Sequence, residues 1–228
     1  MTSTPAASRV VKTGEVQIRA GSALLTGELK VPAKATGVVL FAHGSGSSRH
    51  SPRNQYVARV IREVGVATLL FDLLTRQEES IDNYTREFRF DIKLLARRLV
   101  AATNWLAAEK ETNKLRPGYF GASTGGGAAL VAAAQLKEKV GAVVSRGGRP
   151  DLAGPALGRV TAPTLLIVGG LDGPVIRMNE DAYAQLRCMK ELKIMPGATH
   201  LFEEPGKLEE AARLAAAWFL RHLEPAKE

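Results

Sequence analysis

The stretch that decides the fold is GYFGASTGGG, residues 118–127. Its first three residues are an apolar run that predicts a buried strand, and its glycines lead into a small-residue segment with helical spacing. A serine in a tight strand-to-helix turn has its hydroxyl pushed outward, and only small residues fit two positions before and after it. Gly121 and Gly125 meet that need, which is the arrangement of a nucleophile elbow. The stretch therefore predicts an α/β sheet with Ser123 as nucleophile, although a plain connecting turn is the structural alternative.

Apolar runs of the same kind recur along the chain and alternate with helical patterns. The predicted buried strands are residues 37–42, 66–71, 118–120, 141–144 and 164–168, with a last strand at 191–195. The predicted helices are residues 55–63, 85–109, 126–137, 180–187 and 208–223. Because parallel strands need crossover helices, this order predicts a mostly parallel, doubly wound α/β sheet with helices on both faces. Residues 10–20 and 24–31 alternate apolar and polar side chains and predict an antiparallel N-terminal edge.

The size and composition of the chain limit its class. Its 228 residues are predicted to form a single domain, 1–228, with a flexible N-terminal segment at 1–9 and a flexible tail at 224–228. No apolar stretch has membrane length or the form of a leader, so we expect no membrane contact and a cytoplasmic location. The net charge of +8 is dispersed among acids without a base-reading motif, so no nucleic-acid partner is expected. Cys188 is the only cysteine, which excludes an internal disulfide and a cysteine-based zinc site.

A serine nucleophile requires a base, usually a histidine that a carboxylate orients. His200 follows the last predicted strand, at the sheet edge where reactive loops collect, and it comes after the serine in the chain. Asp172 directly follows the strand at 164–168 and is the predicted orienting acid. Asp151 is the alternative acid, and helix capping is the structural alternative for both carboxylates. His222 lies in the charged end of the last helix and is predicted to be a surface residue.

Backbone N–H groups from two loops are the predicted oxyanion hole. Thr124 supplies one donor, and Ser45, in the loop HGSGSS at residues 43–48, supplies the other. Gly46 is the next candidate and a candidate substrate contact. A phosphate-binding loop is the competing interpretation, but the closing Gly-Lys-Ser/Thr of a P-loop is missing. His43 is predicted to hold this loop by hydrogen bonding, with a direct role in catalysis as the alternative.

Two arginines after the strand at 141–144 are candidates for substrate binding. Arg146 and Arg149, together with the basic segment at 49–53, can place guanidinium groups near a carboxylate or phosphate of an anionic substrate. Surface salt bridges are their alternative role. The interval 144–163 is short, so no large cap domain is expected over the site. Residues 75–85 are predicted to be a solvated loop, with a wall of the site as the alternative.

Four motifs together resemble the dienelactone hydrolase-like branch of the α/β-hydrolases. They are HGSGS at 43–47, GASTG at 121–125, GGLD at 169–172 and GATHLF at 197–202. The resemblance implies an α/β-hydrolase fold with an eight-stranded sheet, no metal or organic cofactor, and a catalytic triad at Ser123, Asp172 and His200. The dienelactone hydrolases themselves use a cysteine nucleophile, whereas this sequence has a serine at that position. Dienelactone is therefore not the expected substrate.

These observations predict a serine hydrolase that cleaves carboxylic esters or lactones of small soluble substrates through an acyl-enzyme on Ser123. Two alternatives stay open. An acyl or thioester transferase would use the same triad, and a non-catalytic protein of the same fold would use the pocket only to bind a ligand. The expected assembly is a monomer or a weak homodimer.

Overall fold

A computed structural model describes residues 10–223, which form an eight-stranded sheet flanked by helices. The predicted flexible segments at 1–9 and 224–228 lie outside the described residues. The strands are β1 (Val10–Ala20), β2 (Ala23–Pro32), β3 (Gly37–Ala42), β4 (Ala67–Phe71), β5 (Arg116–Ala122), β6 (Ala142–Arg146), β7 (Thr164–Gly169) and β8 (Lys190–Met195). The helices are α1 (Pro52–Glu63), α2 (Arg76–Thr85), α3 (Ile92–Ala108), α4 (Thr124–Leu136), α5 (Gly173–Gln185) and α6 (Lys207–Leu223).

The strand order across the sheet is β1-β2-β4-β3-β5-β6-β7-β8. β1 pairs antiparallel with β2, and β2 pairs antiparallel with β4, while the remaining neighbours are parallel. The predicted fold class is confirmed: a mostly parallel sheet with an antiparallel N-terminal edge. Because the parallel strands point the same way, the loops that follow β3, β5, β6, β7 and β8 emerge at one edge.

The core lies on both faces of the sheet. One apolar cluster joins the sheet to α3, α4 and α5, and a second joins it to α1 and α6. Strands β3, β4, β6 and β7 are buried along their whole lengths, which explains why their sequences are continuous apolar runs. A 3₁₀ segment, Pro150–Arg159, fills the interval between β6 and β7 and packs against α4. None of the helices described between residues 10 and 223 is long and apolar enough to cross a membrane.

The helical prediction for residues 85–109 was wrong in its first part. The helix α3 begins at Ile92, and Thr85 ends a separate helix, α2, in the stretch predicted to be a loop. A capping box starts α2: the Thr75 hydroxyl accepts from the Glu78 N–H, and the Glu78 carboxylate accepts from the Thr75 N–H. Glu78 also pairs with Arg98 of α3 at 2.6 Å. The capping box and this ion pair stabilise a helix whose polar sequence gives little apolar periodicity.

Candidate active site

The predicted nucleophile, Ser123, lies in the sharp turn between β5 and α4. Its backbone has φ 50° and ψ −125°, a conformation that residues other than glycine rarely adopt. Residues in such strained conformations are concentrated at functional sites. The Ser123 carbonyl holds the turn by accepting the N–H groups of Gly126 at 3.0 Å and Arg149 at 2.9 Å. A Cβ atom on Gly125 would collide with the carbonyl oxygen of Ala42, so only glycine fits there. The local geometry is that of the predicted elbow.

His200 and Asp172 are hydrogen-bonded to each other. Nδ1 of His200 lies 2.6 Å from Oδ2 of Asp172, which follows β7 by three residues. His200 lies in the loop after β8, and its side chain is 37% exposed whereas that of Asp172 is only 14% exposed. Because a carboxylate accepts the Nδ1 hydrogen, a neutral ring bonded in this way has Nε2 as its acceptor atom.

The two aspartates have different side-chain partners. Asp172 stands at the N-terminus of α5 but makes no side-chain capping hydrogen bond. Asp151 accepts from the Arg149 guanidinium through both carboxylate oxygens, at 2.9 and 2.8 Å. Of the two carboxylates, Asp172 is the one bonded to His200.

The two segments that carry the predicted oxyanion donors adjoin Ser123. Thr124 follows Ser123 directly and is the first residue of α4, where a helical N–H has no intrahelical partner. The loop that carries Ser45 approaches from β3, and a Cβ atom on Gly44 would come within 3.1 Å of the Ser123 Cβ. Backbone N–H groups of both segments are therefore candidates for the two donors.

His43 holds the loop after β3 with both ring nitrogens. Nδ1 lies 3.0 Å from the Gly44 carbonyl, and Nε2 lies 3.1 Å from the Leu73 backbone nitrogen. A carbonyl only accepts and an amide N–H only donates, so Nδ1 carries the hydrogen and the ring is neutral. Burial lowers the pKa of His43 and outweighs the hydrogen bond to Gly44, which raises it. This geometry agrees with the predicted loop-holding role.

Two cavities meet at the loop 44–48. The larger, of about 250 Å³, is lined by Ser45, Ser123, Arg146 and His200, which brings four of the predicted residues together. The smaller, of about 30 Å³, is lined by Gly46 and Thr124, and also by Ser45. We call the larger cavity the Ser123 cleft. Arg149 does not line either cavity.

Arg146 is buried in the wall of the Ser123 cleft. It is 6% exposed, and its guanidinium carbon lies 5.5 Å from the centre of the Phe202 ring. Its Nε and Nη1 atoms have no hydrogen-bond partner among residues 10–223. Burial, together with the like charge of Arg53, lowers the pKa of Arg146 to about 10, so the side chain is still a cation at neutral pH.

Two residues of the first turn of α1, Arg53 and Asn54, also line the Ser123 cleft. The sequence pattern predicted that this helix begins at Gln55. Arg53 was therefore predicted only as part of a basic segment, and Asn54 was not predicted. The signal that would have found them is the pair Ser51-Pro52, a capping residue followed by proline at the first helical position. An earlier helix start places both residues beside the loop that follows β3.

Comparison with known proteins relates the chain to one family. Residues 22–224 match the family model described as the dienelactone hydrolase family. The crystal structure of a dienelactone hydrolase from Anabaena variabilis is 62% identical in sequence, with a TM-score of 0.92 over 93% of this chain and 99% of that chain. A serine hydrolase without a lid, XC6422 from Xanthomonas campestris, has a TM-score of 0.75 over 96% of this chain and 98% of that chain at 21% identity, a likeness of fold.

Curated relatives include two proteins from strains of Mycobacterium tuberculosis whose names propose a phosphoribosyl transferase. Each is 58% identical over 218 residues, which is 96% of this chain and 48% of the relative. The chain thus spans about half the length of these relatives.

Proposed function

The chain belongs to the dienelactone hydrolase family, and from this premise we propose that it is a serine hydrolase that cleaves small carboxylic esters or lactones. The observation that carries the proposal is the 2.6 Å contact between His200 Nδ1 and Asp172 Oδ2, at the edge of the cleft that His200 lines together with Ser123. Hydrolase activity in general is supported by the family. The choice of esters and lactones rests on the serine at the elbow and on this histidine–carboxylate pair.

In the proposed reaction the Ser123 Oγ attacks the ester carbonyl carbon while His200 Nε2 accepts its proton. Asp172 holds the imidazole ring in the tautomer that leaves Nε2 free, and it stabilises the imidazolium that forms. The carbonyl oxygen becomes an oxyanion that accepts hydrogen bonds from backbone N–H groups at Thr124 and Ser45. The C–O bond then breaks, and the leaving alkoxide takes the proton from His200. Water, deprotonated by the same nitrogen, attacks the acyl-enzyme and releases the acid and the free serine.

A direct test combines labelling with turnover. A fluorophosphonate probe is expected to label the wild-type protein at Ser123, and p-nitrophenyl esters are expected to be hydrolysed. We expect Ser123→Ala to lose labelling and about 10⁴-fold or more in kcat. Asp172→Asn is expected to keep the fold and the serine but lose about 10⁴-fold in kcat, because the imidazole is then held in the wrong tautomer.

The matched control is Asp151→Asn, which removes the rejected carboxylate and its pair with Arg149. This variant is expected to retain turnover within about tenfold. Equal labelling of Ser123→Ala and wild type, or a larger loss in Asp151→Asn than in Asp172→Asn, would overturn the assignments.

Acyl or thioester transfer would use the same acyl-enzyme and differ only in the group that resolves it. Turnover in the presence of competing alcohols or thiols, followed by product analysis, separates the two. Free acid as the main product supports hydrolysis. The transferase name of the Mycobacterium tuberculosis proteins belongs to chains about twice as long as the shared segment, and that activity is not proposed for this chain.

A further inference from the structure

Arg146 stands out among the arginines near the site because it has no anionic partner. Arg49 pairs with Asp72, Arg89 with Asp82, Arg98 with Glu78, and Arg149 with Asp151. Arg146 and Arg98 are the most buried of these five arginines, each 6% exposed. Arg98 has an acidic partner, whereas Arg146 takes part in no ion pair with a described residue. A buried cation without a counter-charge is unfavourable unless a ligand supplies one.

The position of Arg146 indicates that the molecule carrying this counter-charge would also reach Ser123. The residue ends β6, next to Ala122 of β5 in the parallel register, so it lies one strand away from the nucleophile turn. Its side chain shares the Ser123 cleft with Ser123 and His200. An anion that contacts Arg146 in this cleft would therefore belong to a molecule that also reaches the nucleophile.

A second cation lines the same cleft. Arg53 of α1 lines the cleft, and its charge is close enough to Arg146 to disfavour the charged form of that residue. Arg53 is partly exposed and has an outer partner, Glu203, at 2.8 Å. Two guanidinium groups that converge on one cavity repel each other, and an anion between them would remove that repulsion.

We propose that Arg146 and Arg53 form a subsite for an anionic group, a carboxylate or a phosphate, carried by the substrate of Ser123. Guanidinium groups bind both anions through N–H donors, and Nε and Nη1 of Arg146 are two donors that bond to no described residue. The proposal rests on the proposed hydrolase function and gives it a substrate class, esters of small molecules with an anionic end. The Arg146 guanidinium carbon also lies over the Phe202 ring, 5.5 Å from its centre, which is a cation–π contact.

The test compares esters that differ only in charge. Mono-p-nitrophenyl adipate carries a free carboxylate, and methyl p-nitrophenyl adipate is its neutral counterpart. p-Nitrophenyl 4-phosphonobutanoate and its dimethyl ester form the phosphate-like pair. The ratio of kcat/KM for the anionic ester to that for the neutral ester is the charge preference, and the two pairs tell which anion the subsite takes.

We expect Arg146→Met to lower the charge preference about tenfold to a hundredfold, which is the loss expected for a charge-assisted contact. Arg146→Lys is expected to keep part of the preference, because the charge remains but the fork of donors is lost. Arg53→Met, on the accessible side of the cleft, is expected to lower it less. The matched control is Arg59→Met, which removes the same charge from an exposed position about one and two-thirds turns further along α1 than Arg53.

A binding measurement separates the subsite from the chemistry. In Ser123→Ala, adipate monoester and inorganic phosphate are expected to raise the melting temperature, and the rise is expected to disappear in Ser123→Ala/Arg146→Met. If wild type hydrolyses neither ester but the Arg146-dependent rise persists, the hydrolase proposal fails and anion binding by the subsite stands. If the neutral ester is hydrolysed but the charge preference is the same in wild type, Arg146→Met and Arg53→Met, the subsite is overturned and the hydrolase stands. Binding of phosphate alone, without a charge preference among the esters, also overturns the substrate subsite.

Discussion

At the scale of single residues, His43 makes the stability of the folded protein depend on pH. Its neutral ring bridges the Gly44 carbonyl and the Leu73 N–H. A proton on Nε2 would place the Nε2–H donor against the Leu73 N–H donor. Burial lowers the pKa of His43 below its usual 6.5, which means that the folded protein disfavours the protonated ring. The stabilisation is therefore complete above the unfolded-state pKa and is lost as the pH falls from there through the lower folded-state pKa.

We predict that the free energy of unfolding of the wild type falls as the pH is lowered below about 6.5, by at most about 1.4 kcal/mol per pH unit from this residue. Urea unfolding at several pH values measures it. His43→Asn is expected to be less stable than wild type near pH 8, where the bridge is intact, and to show a shallower decline towards pH 5. The decline from carboxylates is common to both proteins, so parallel curves would show that His43 does not contribute.

At the scale of elements, the connection between α2 and α3 is organised by one buried carboxylate. Asp82 is 1% exposed and accepts hydrogen bonds from the N–H groups of Phe88 and Arg89 and from the Arg89 guanidinium. Burial alone would raise the pKa of Asp82, but the hydrogen bonds from Arg89 and Phe88 outweigh it and hold the pKa below its usual value. Asp82 and Arg89 also line the smaller cavity beside the loop that carries Gly46. The carboxylate thus links the α2–α3 connection to the site.

We predict that Asp82→Asn destabilises the protein by about 3 kcal/mol, because the change leaves the Arg89 cation without its buried partner. Hydrogen exchange is expected to increase most in residues 76–91, and ester turnover is expected to fall with it. The matched control is Glu87→Gln, which removes a negative charge from an exposed position in the same connection. Equal stability losses in the two variants would mean that Asp82 contributes only through general electrostatics.

Features of this fold that depend on neighbouring residues were predictable from the sequence, and features that depend on distant contacts were not. The strands were predictable because each buried strand is a continuous apolar run, and the elbow was predictable because its glycines follow from sterics at the turn. Helix α2 was not, since its stability comes from the Thr75 capping box and from a pair between Glu78 and Arg98 that lie twenty positions apart. The pairing of Asp172 with His200 could be proposed from chain order, but the choice over Asp151 needed the observed partner of Asp151. The convergence of Arg53 and Arg146 on one cleft depends on how α1 packs and has no local signature.

At the scale of the whole molecule, two sources of anion attraction have to be distinguished. The net charge of +8 gives the protein a positive field that raises the encounter rate of any anionic ester. This field acts over a screening length of about 30 Å at 0.01 M salt and about 8 Å at 0.15 M salt. Contact with Arg146 acts at hydrogen-bond distance in a buried wall, where salt screens much less.

We therefore predict that raising the salt concentration over this range lowers kcat/KM for the anionic ester in wild type, Arg59→Met and Arg146→Met alike, and leaves the neutral ester nearly unchanged. The ratio of wild type to Arg59→Met is expected to approach one at high salt, because the exposed charge acts only through the long-range field. The ratio of wild type to Arg146→Met is expected to stay at about tenfold or more. A ratio for Arg146→Met that collapses to the Arg59→Met value at 0.15 M salt would mean that the preference comes from net charge alone.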